Sequence, residues 1–489
     1  MSNSTVSLNK KLLQPISSLH RLTLFCLGFG ALIRIIQYAS NRSLWADEAK
    51  IALNIIQLSY REFLQPLPYE QAAPPGFLFV EKLIVQLFGN SEYSLRLFPL
   101  IASLVSLILF YLISRYYLNR IDSLIANALF ACNQYLVYYA SEVKQYSSDV
   151  AINLFVFLTL VVFRPEKLTF PRAVAIGLVG AIALWFSHPV VFVLAGVEGT
   201  RLIVDLINYN KRHQSDWMNR LLMYGCWLVS FAIFYSVTLT DIRNNQFLPF
   251  TWDNEFPEHP LDLFWFLEAF RSFFYKPLAF PPVISELAII LFVWGAIWLF
   301  QNRRNHALYL TTPIGLTLLA GYLNQYPFDN RLILFLLPYW IVLLIFGMRQ
   351  CLNIAYIQRS FFRYVLIVAV LGFPIIEGGL FLVQPHRHEH IKPVMQYVQE
   401  NRKPGDIVYV FQKSRFQFRY YASRFGFQPD DYQIGSDLDD TLQRNFTERE
   451  ERIAYRKNIN QLKGNDRVWL IFSDTRLRED TEFILEHLD

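Results

Sequence analysis

Two carboxylates stand side by side in Leu44-Trp45-Ala46-Asp47-Glu48, directly after the first long apolar run of the chain. A positioned carboxylate can take a proton from a hydroxyl, and a neighbouring one can support it. The plainer reading is a helix start, because acidic side chains favour the positive first turn. Glu142 and Lys144, in Tyr138-Tyr139-Ala140-Ser141-Glu142-Val143-Lys144-Gln145-Tyr146-Ser147, form a second ionisable site between apolar runs. Charges at membrane depth are costly and commonly line cavities, although these two could simply pair with each other or with water. Asp149, just beyond, reads as a helix cap. His188 occupies the turn Ser187-His188-Pro189, where a lone histidine is more often structural. Arg331 closes Tyr326-Pro327-Phe328-Asp329-Asn330-Arg331. Its planar fork suits a phosphate, and a salt bridge to Asp329 or to another outer carboxylate would occupy it equally well.

The elements that must position these groups are membrane spans. Of the 489 residues, 53% are hydrophobic and 17% charged, against about 25% charged in an ordinary soluble chain. Charge is dense after Gln384 and sparse before it. Many apolar runs reach the roughly 20 residues needed to cross a hydrocarbon core. Spans are expected near 22–38, 93–114, 121–138, 148–163, 173–187, 190–207, 221–239, 283–300, 307–323, 332–348 and 364–383, about eleven transmembrane helices. The run from Leu22 is too long and too weakly flanked for a cleaved leader and reads as the first permanent span. Cys26, Cys132, Cys226 and Cys351 lie in or beside apolar runs, so no disulfide framework follows.

The distribution of basic residues orients the spans. Lys10, Lys11, Arg21, Arg115, Arg120, Arg164, Lys167, Arg172, Lys211, Arg212, Arg220, Arg303, Arg304, Arg349, Arg359 and Arg363 all fall in one alternating set of segments. The three short loops of the other set hold only Lys144 and Arg331. The positive-inside rule then places the N-terminus in the cytoplasm and, with an odd number of spans, the C-terminal segment outside. The formal net charge of +5 is explained by these loops and signals no nucleic-acid partner.

Residues 1–384 therefore read as a transmembrane domain with large outer loops at 39–92 and 240–282. The apolar piece 77–88 is too short to span and reads as an interfacial helix. Residues 385–489 read as an extracytoplasmic α/β domain. A helix is expected at 391–400, a turn at Lys403-Pro404-Gly405-Asp406, a strand at 407–411, and a second strand at 468–472 after Gly464-Asn465-Asp466. About 105 residues suffice for a core of their own. The carboxylates, Lys144, His188 and Arg331 all fall at span ends on one face. Together they could hold an anionic lipid headgroup and deprotonate an acceptor beside it.

In these residues the chain resembles the GT-C superfamily of glycosyltransferases. It is most similar to the branch of protein O-mannosyltransferases and the bacterial lipid A aminoarabinose transferase. The likeness is carried by Trp45-Ala46-Asp47-Glu48, by Pro74-Pro75-Gly76-Phe77-Leu78, and by the run from Gly89 through Arg96-Leu97-Phe98-Pro99. The stretches from Tyr139 to Tyr146 and from Arg331 to Pro338 also resemble family motifs. Two positions depart from the pattern. Lys144 stands where the family has arginine, and Ala73 precedes the proline pair where relatives often have histidine. The resemblance implies a GT-C-like fold and a polyprenyl-phosphate-linked sugar as donor. It implies inverting transfer on the extracytoplasmic face, in a bacterial inner membrane. It gives Asp47 the role of general base, Glu48 a supporting one, and Glu142 the place of the second acidic group. Lys144 and Arg331 would meet the donor phosphate, with Arg96, Tyr146, His188 and Tyr326 lining the site.

No cofactor is required by this chemistry, and a divalent metal has no ligand set in the sequence to support it. The sugar and the acceptor, whether protein, lipid or glycan, are left open. A lipid-linked-sugar flippase or transporter is the alternative. It would place ionisable groups near the bilayer midplane, often with inverted repeats, and the sequence shows neither. A receptor-like protein displaying its C-terminal domain would leave Asp47 and Glu48 unexplained.

Overall fold

The structure is a computed structural model that describes residues 18–163, 167–207, 217–239, 255–259, 261–354, 361–435, 453 and 456–473. A helix or a closely spaced pair of helices stands at each of the eleven expected span positions. The first is α1 (Ser18–Ala39). Next come α2 (Ala46–Gln57) and α3 (Pro75–Phe88) in the 39–92 loop, the one expected from sequence to be the first outer loop, followed by the long α4 (Glu92–Tyr117). The expected third span is divided into α5 (Arg120–Cys132) and α6 (Gln134–Tyr139). Asn133 breaks it, its side chain accepting from the Leu136 N–H as a cap for α6. Then come α7 (Tyr146–Phe157), continued by a wider turn over Leu158–Val162, and α8 (Phe170–Phe186) and α9 (Val190–Ile207). The remaining helices before the C-terminal unit are α10 (Trp217–Phe234), α11 (Phe264–Tyr275) within the 240–282 loop, α12 (Pro282–Asn302), α13 (Arg304–Tyr322), α14 (Leu337–Leu352) and α15 (Phe362–Leu380). A tight helical turn over Asn330–Leu336 leads into α14.

Among the described residues six helices are long and apolar enough to cross a membrane on length and composition alone. α14 is the central one, buried along nearly its whole length. It crosses α12 at two glycines: a methyl on Gly347 would strike the Leu291 carbonyl, and one on Gly295 the Leu343 carbonyl. Small residues at such a crossing let two backbones approach where no hydrophobic force separates protein from lipid. A buried cation ties the bundle together elsewhere. Arg34 of α1 is fully buried and donates to the Gly30 and Ala131 carbonyls, at 2.8 and 2.7 Å, and to Ser103 Oγ at 2.9 Å. Every one of those acceptors offsets part of the cost of burying a guanidinium.

α3 is a short helix where a non-spanning apolar piece is expected from sequence, burying Phe77, Leu78 and Glu81 and exposing Leu83, Leu87 and Phe88. Beyond α15 lie α16 (Lys392–Asn401), β1 (Ile407–Val410), α17 (Arg415–Tyr421), β2 (Tyr432–Ile434) and β3 (Val468–Ile471). The strands form a parallel sheet in the order β2-β1-β3, with Val408 opposite both Tyr432 and Trp469. The sheet thus has one strand more than expected. β2 is three residues long and leaves no alternation to read. Ile51, Leu53 and Ile55 of the first outer loop share one apolar cluster with Met395, Val408 and Phe416 of the C-terminal unit. In the 240–282 loop, Trp252, Asp253 and Asn254 lie outside the described residues.

Candidate active site

Asp47 sits in the first turn of α2, where an acidic side chain is favoured by the exposed N–H groups. Its carboxylate is gripped from three sides. Lys144 Nζ lies 3.1 Å from Oδ2, Arg331 Nη2 lies 3.4 Å from the same oxygen, and Gln71 Nε2 donates to Oδ1 at 3.1 Å. Lys144 also donates to Gln71 Oε1 at 2.6 Å, closing a ring of hydrogen bonds. Four residues from the first outer loop, the α6–α7 loop and the turn before α14 therefore meet at one point. Asp47 and Arg331 each keep about a fifth of the side chain accessible, 20% and 23%. Burial pushes the Asp47 carboxyl up, but Lys144 and Arg331 outweigh it and hold the pKa down at about 2.

Arg331 does not pair with Asp329, which instead receives Lys276 at 3.2 Å. Its guanidinium lies 5.7 Å from the Trp45 ring centre and 5.6 Å from that of Tyr146, so two aromatic faces steady the cation. The Trp45 ring in turn donates its N–H to Glu142 Oε1 at 3.0 Å. Glu142 is fully buried, and its other oxygen has no hydrogen-bond partner among the described residues. Burial, and then the charge of Glu48, push its pKa up to about 7, against the pull of Arg331, Arg42 and Lys144.

Glu48 stands apart from its neighbour in the sequence. It is fully buried and makes two parallel hydrogen bonds with Arg96, 2.9 Å to Oε1 and 2.6 Å to Oε2. The Val143 N–H donates to it as well, at 2.9 Å. Burial would raise its carboxyl, yet Arg96 and then Arg42 hold it below the usual carboxylate range. Arg96 goes on to donate to the Arg42 and Ser43 carbonyls at 2.7 and 3.1 Å. The expected acid pair is thus split by the helix itself. Successive residues point about 100° apart, so one carboxylate faces the cations and the other the interior. Together with Arg96, Glu48 holds the backbone of two loops, at Arg42 and Ser43 and at Val143.

Two expected lining residues lie to one side. Tyr326 donates to the Leu332 carbonyl at 2.8 Å and packs edge-on against Phe192, which stiffens the turn carrying Arg331. His188 packs against Phe234, with Nε2 unpartnered among the described residues, and burial draws its pKa down to about 4. Among the described residues no hydrogen bond or ion pair joins it to Asp47. No group of three or more metal-ligating side chains occurs among the described residues.

The roles of several participants were not visible in the sequence. Gln71 is an ordinary residue until folding brings Lys144 to it, and nothing in the Trp45 motif indicates that its ring will meet Glu142. The second outer brace comes from the C-terminal unit. Glu389 accepts the Ala46 N–H at 2.9 Å, at the very start of α2, and also receives Gln417 at 2.7 Å. Just before it, His390 Nδ1 meets Ser43 Oγ at 2.8 Å, and the Leu44 N–H donates to Tyr421 Oη at 2.9 Å. Lys392 donates to the Asn41 carbonyl at 2.6 Å and pairs with Glu92 at 2.8 Å.

Comparison with known proteins agrees with this architecture. Residues 72–239, about a third of the chain, match the family described as dolichyl-phosphate-mannose-protein mannosyltransferase. Among solved structures, the chain is similar to ArnT from Cupriavidus metallidurans in the apo state. The two share 14% identity over 85% of this chain and 86% of that one, with a TM-score of 0.51. It is also similar to the same protein bound to undecaprenyl phosphate, at 13% identity, 86% and 87% coverage, and a TM-score of 0.50. No curated protein sequence matches the chain. At these identities the likeness is one of fold. The chain has a GT-C-like fold in common with these structures, with a small sheet near its C-terminus.

Proposed function

We propose, on the premise of this GT-C fold, that the chain is a membrane glycosyltransferase that moves a sugar from a polyprenyl phosphate to an acceptor hydroxyl on the outer face, with inversion. One observation carries the reading. Of the three carboxylates Asp47, Glu48 and Glu142, only Asp47 is accessible, and it lies between two cations. The family match over residues 72–239 and the likeness to a protein seen with undecaprenyl phosphate support a lipid-phosphate donor.

In this mechanism the donor phosphate enters beside Arg331 and Lys144 and shares their charge with Asp47. The carboxylate is relieved of part of its pairing as the phosphate arrives. Asp47 then accepts the proton of the acceptor hydroxyl while that oxygen attacks the anomeric carbon. The bond from that carbon to the phosphate oxygen breaks, and the electron pair leaves with the lipid phosphate. The two cations compensate the charge that develops there, which is where electrostatic catalysis acts most strongly. Glu142 holds the Trp45 ring beneath Arg331, and Glu48 with Arg96 fixes the start of α2. The basic segments on the opposite side of the spans support a site on the extracytoplasmic face of the membrane.

The experiment is transfer from a radiolabelled polyprenyl-phosphate sugar by the purified full chain and by Asp47→Asn. The variant keeps size and shape but loses the proton acceptor, so transfer falls by about 10²–10⁴-fold with donor binding retained. Wild-type turnover by Asp47→Asn would remove the base assignment. Absence of transfer by the wild-type chain with polyprenyl-phosphate pentoses and hexoses alike, beside donor uptake across vesicles, would replace it with transport.

A further inference from the structure

A groove of about 620 Å³ opens beside the outer ends of α6 and α15, a volume within the usual range for small-ligand sites. Its polar walls are Gln134, Glu377 and Arg387, and its apolar floor is Leu380, Phe381 and Val383. Glu377 stands in the last turn of a helix long and apolar enough to span, where an ionisable group is costly and calls for a partner. Neither Glu377 nor Arg387 makes an ion pair or hydrogen bond among the described residues, and they do not pair with each other. Several other ionisable groups on this face are matched, Asp47 with Lys144, Asp329 with Lys276, and Glu92 with Lys392. Leu380 at the end of α15 and Val383 just past it, 51% and 87% exposed, continue the groove as an open apolar strip. An unmatched acid, an unmatched base and an apolar strip therefore lie together at headgroup depth.

The back of the groove is rigid. Gln37 of α1 binds the backbone of His386 in both directions, donating at 2.9 Å and accepting at 3.0 Å. The His386 ring stands edge-on to Tyr138 at 5.1 Å, and Tyr138 separates the groove from Arg42. None of the lining residues touches Asp47, Lys144 or Arg331.

We propose that this groove is a binding site for a zwitterionic phospholipid of the phosphatidylethanolamine class. Arg387 receives the phosphate, whose geometry its guanidinium fork matches. Glu377 receives the primary ammonium, and Gln134 donates to the remaining phosphate or ester oxygens. The acyl chains run along Leu380 and Val383. The pairing excludes the alternatives by charge: Glu377 disfavours a purely anionic headgroup, and Arg387 a purely cationic one.

The test uses the purified full chain in detergent, supplied with equal amounts of phosphatidylethanolamine and phosphatidylglycerol, with retained lipid counted by native mass spectrometry. The wild type is expected to retain one phosphatidylethanolamine several-fold in preference to phosphatidylglycerol. Glu377→Gln is expected to lose the preference while still retaining lipid. Arg387→Ala is expected to weaken retention of both by about tenfold or more, the usual size of a lost charge-assisted contact. Arg387→Gln, which keeps a polar side chain, is expected to do nearly the same. A thermal melt of each variant separates loss of lipid from loss of fold, and sugar transfer by all three variants should equal wild type. Equal retention of the two lipids by the wild type, unchanged selectivity in Glu377→Gln, or undiminished retention in Arg387→Gln, would overturn the assignment.

Discussion

Arg96 and Glu48 face one another through two parallel hydrogen bonds, with both side chains removed from solvent. Removing one partner of such a pair leaves a buried charge uncompensated, which costs about 3–5 kcal/mol. Arg96→Ala should therefore lower unfolding stability in detergent by about that amount. Glu48→Gln with Arg96→Met together should recover part of the loss, because no unpaired charge remains. A double variant no more stable than Arg96→Ala alone would show that the pair contributes little beyond packing.

Arg331 tests the donor side of the site. Arg331→Ala should weaken binding of a polyprenyl phosphate by about 1.5–3 kcal/mol, the value of a hydrogen bond to a charged group. Arg331→Lys should restore only part, because an ammonium cannot reproduce the fork or lie flat between Trp45 and Tyr146. Titration of purified protein with the lipid phosphate measures it. Unchanged affinity in Arg331→Ala would make the residue a structural partner of Asp47.

Asp47 and Glu142 give opposite dependences on pH. The Asp47 carboxyl is held down at about 2 in the fold, so its contribution to stability is present above the ordinary carboxylate range near 4 and is lost as pH falls toward 2. Glu142 is pushed up from 4.5 to about 7. The fold resists its ionisation, and stability declines as pH rises between those two values. Glu142→Gln should flatten that decline while leaving the acid limb intact. Thermal melts from about pH 5 to about pH 8 would show the difference, and an unaltered slope would place the ionisation elsewhere.

Much of the site was legible because its residues violate a local expectation. Lys144 and Arg331 are basic residues in loops that otherwise lack them, and Asp47 follows a span directly. What could not be read is what each carboxylate faces. The turn of α2 sends Glu48 inward onto Arg96, and nothing in a pair of adjacent acids announces which will be buried. Gln71, Trp45 and Glu389 acquire their roles only through partners 24, 97 and 343 residues away. Arg34 was similarly opaque. In sequence it is one cation in an apolar run, and only the folded bundle supplies the carbonyls that accept from it. The membrane architecture was clear because hydropathy and loop charge are local and repeated, whereas β2 is too short for periodicity to register.

Orientation has its own check. A single cysteine at the exposed Ser59, in a background without the four native ones, should label from outside intact cells. One at the exposed Asn302 should label only after permeabilisation. The reverse pattern would turn the site to the cytoplasm.

Glu389 offers a narrower prediction. Its acceptance of the Ala46 N–H completes the N-terminus of α2, and loss of a cap costs about 0.5–2 kcal/mol. Glu389→Ala should slow transfer through a misplaced Asp47 while leaving donor affinity unchanged, and Glu389→Gln should keep most of the rate because an oxygen acceptor remains. Equal rates for all three proteins would confine Glu389 to holding the C-terminal unit in place.

The same brace bears on the order in which the molecule becomes competent. The segment before Asp47 emerges early in synthesis, yet Ser43 waits for Lys392, 349 residues later, and Ala46 waits for Glu389. Until residues 389–392 have been made and have folded against the first loop, the start of α2 lacks these contacts. A chain made only as far as its first spans would therefore hold Asp47 without that brace, and the site would be assembled late in synthesis although its first residues are made early.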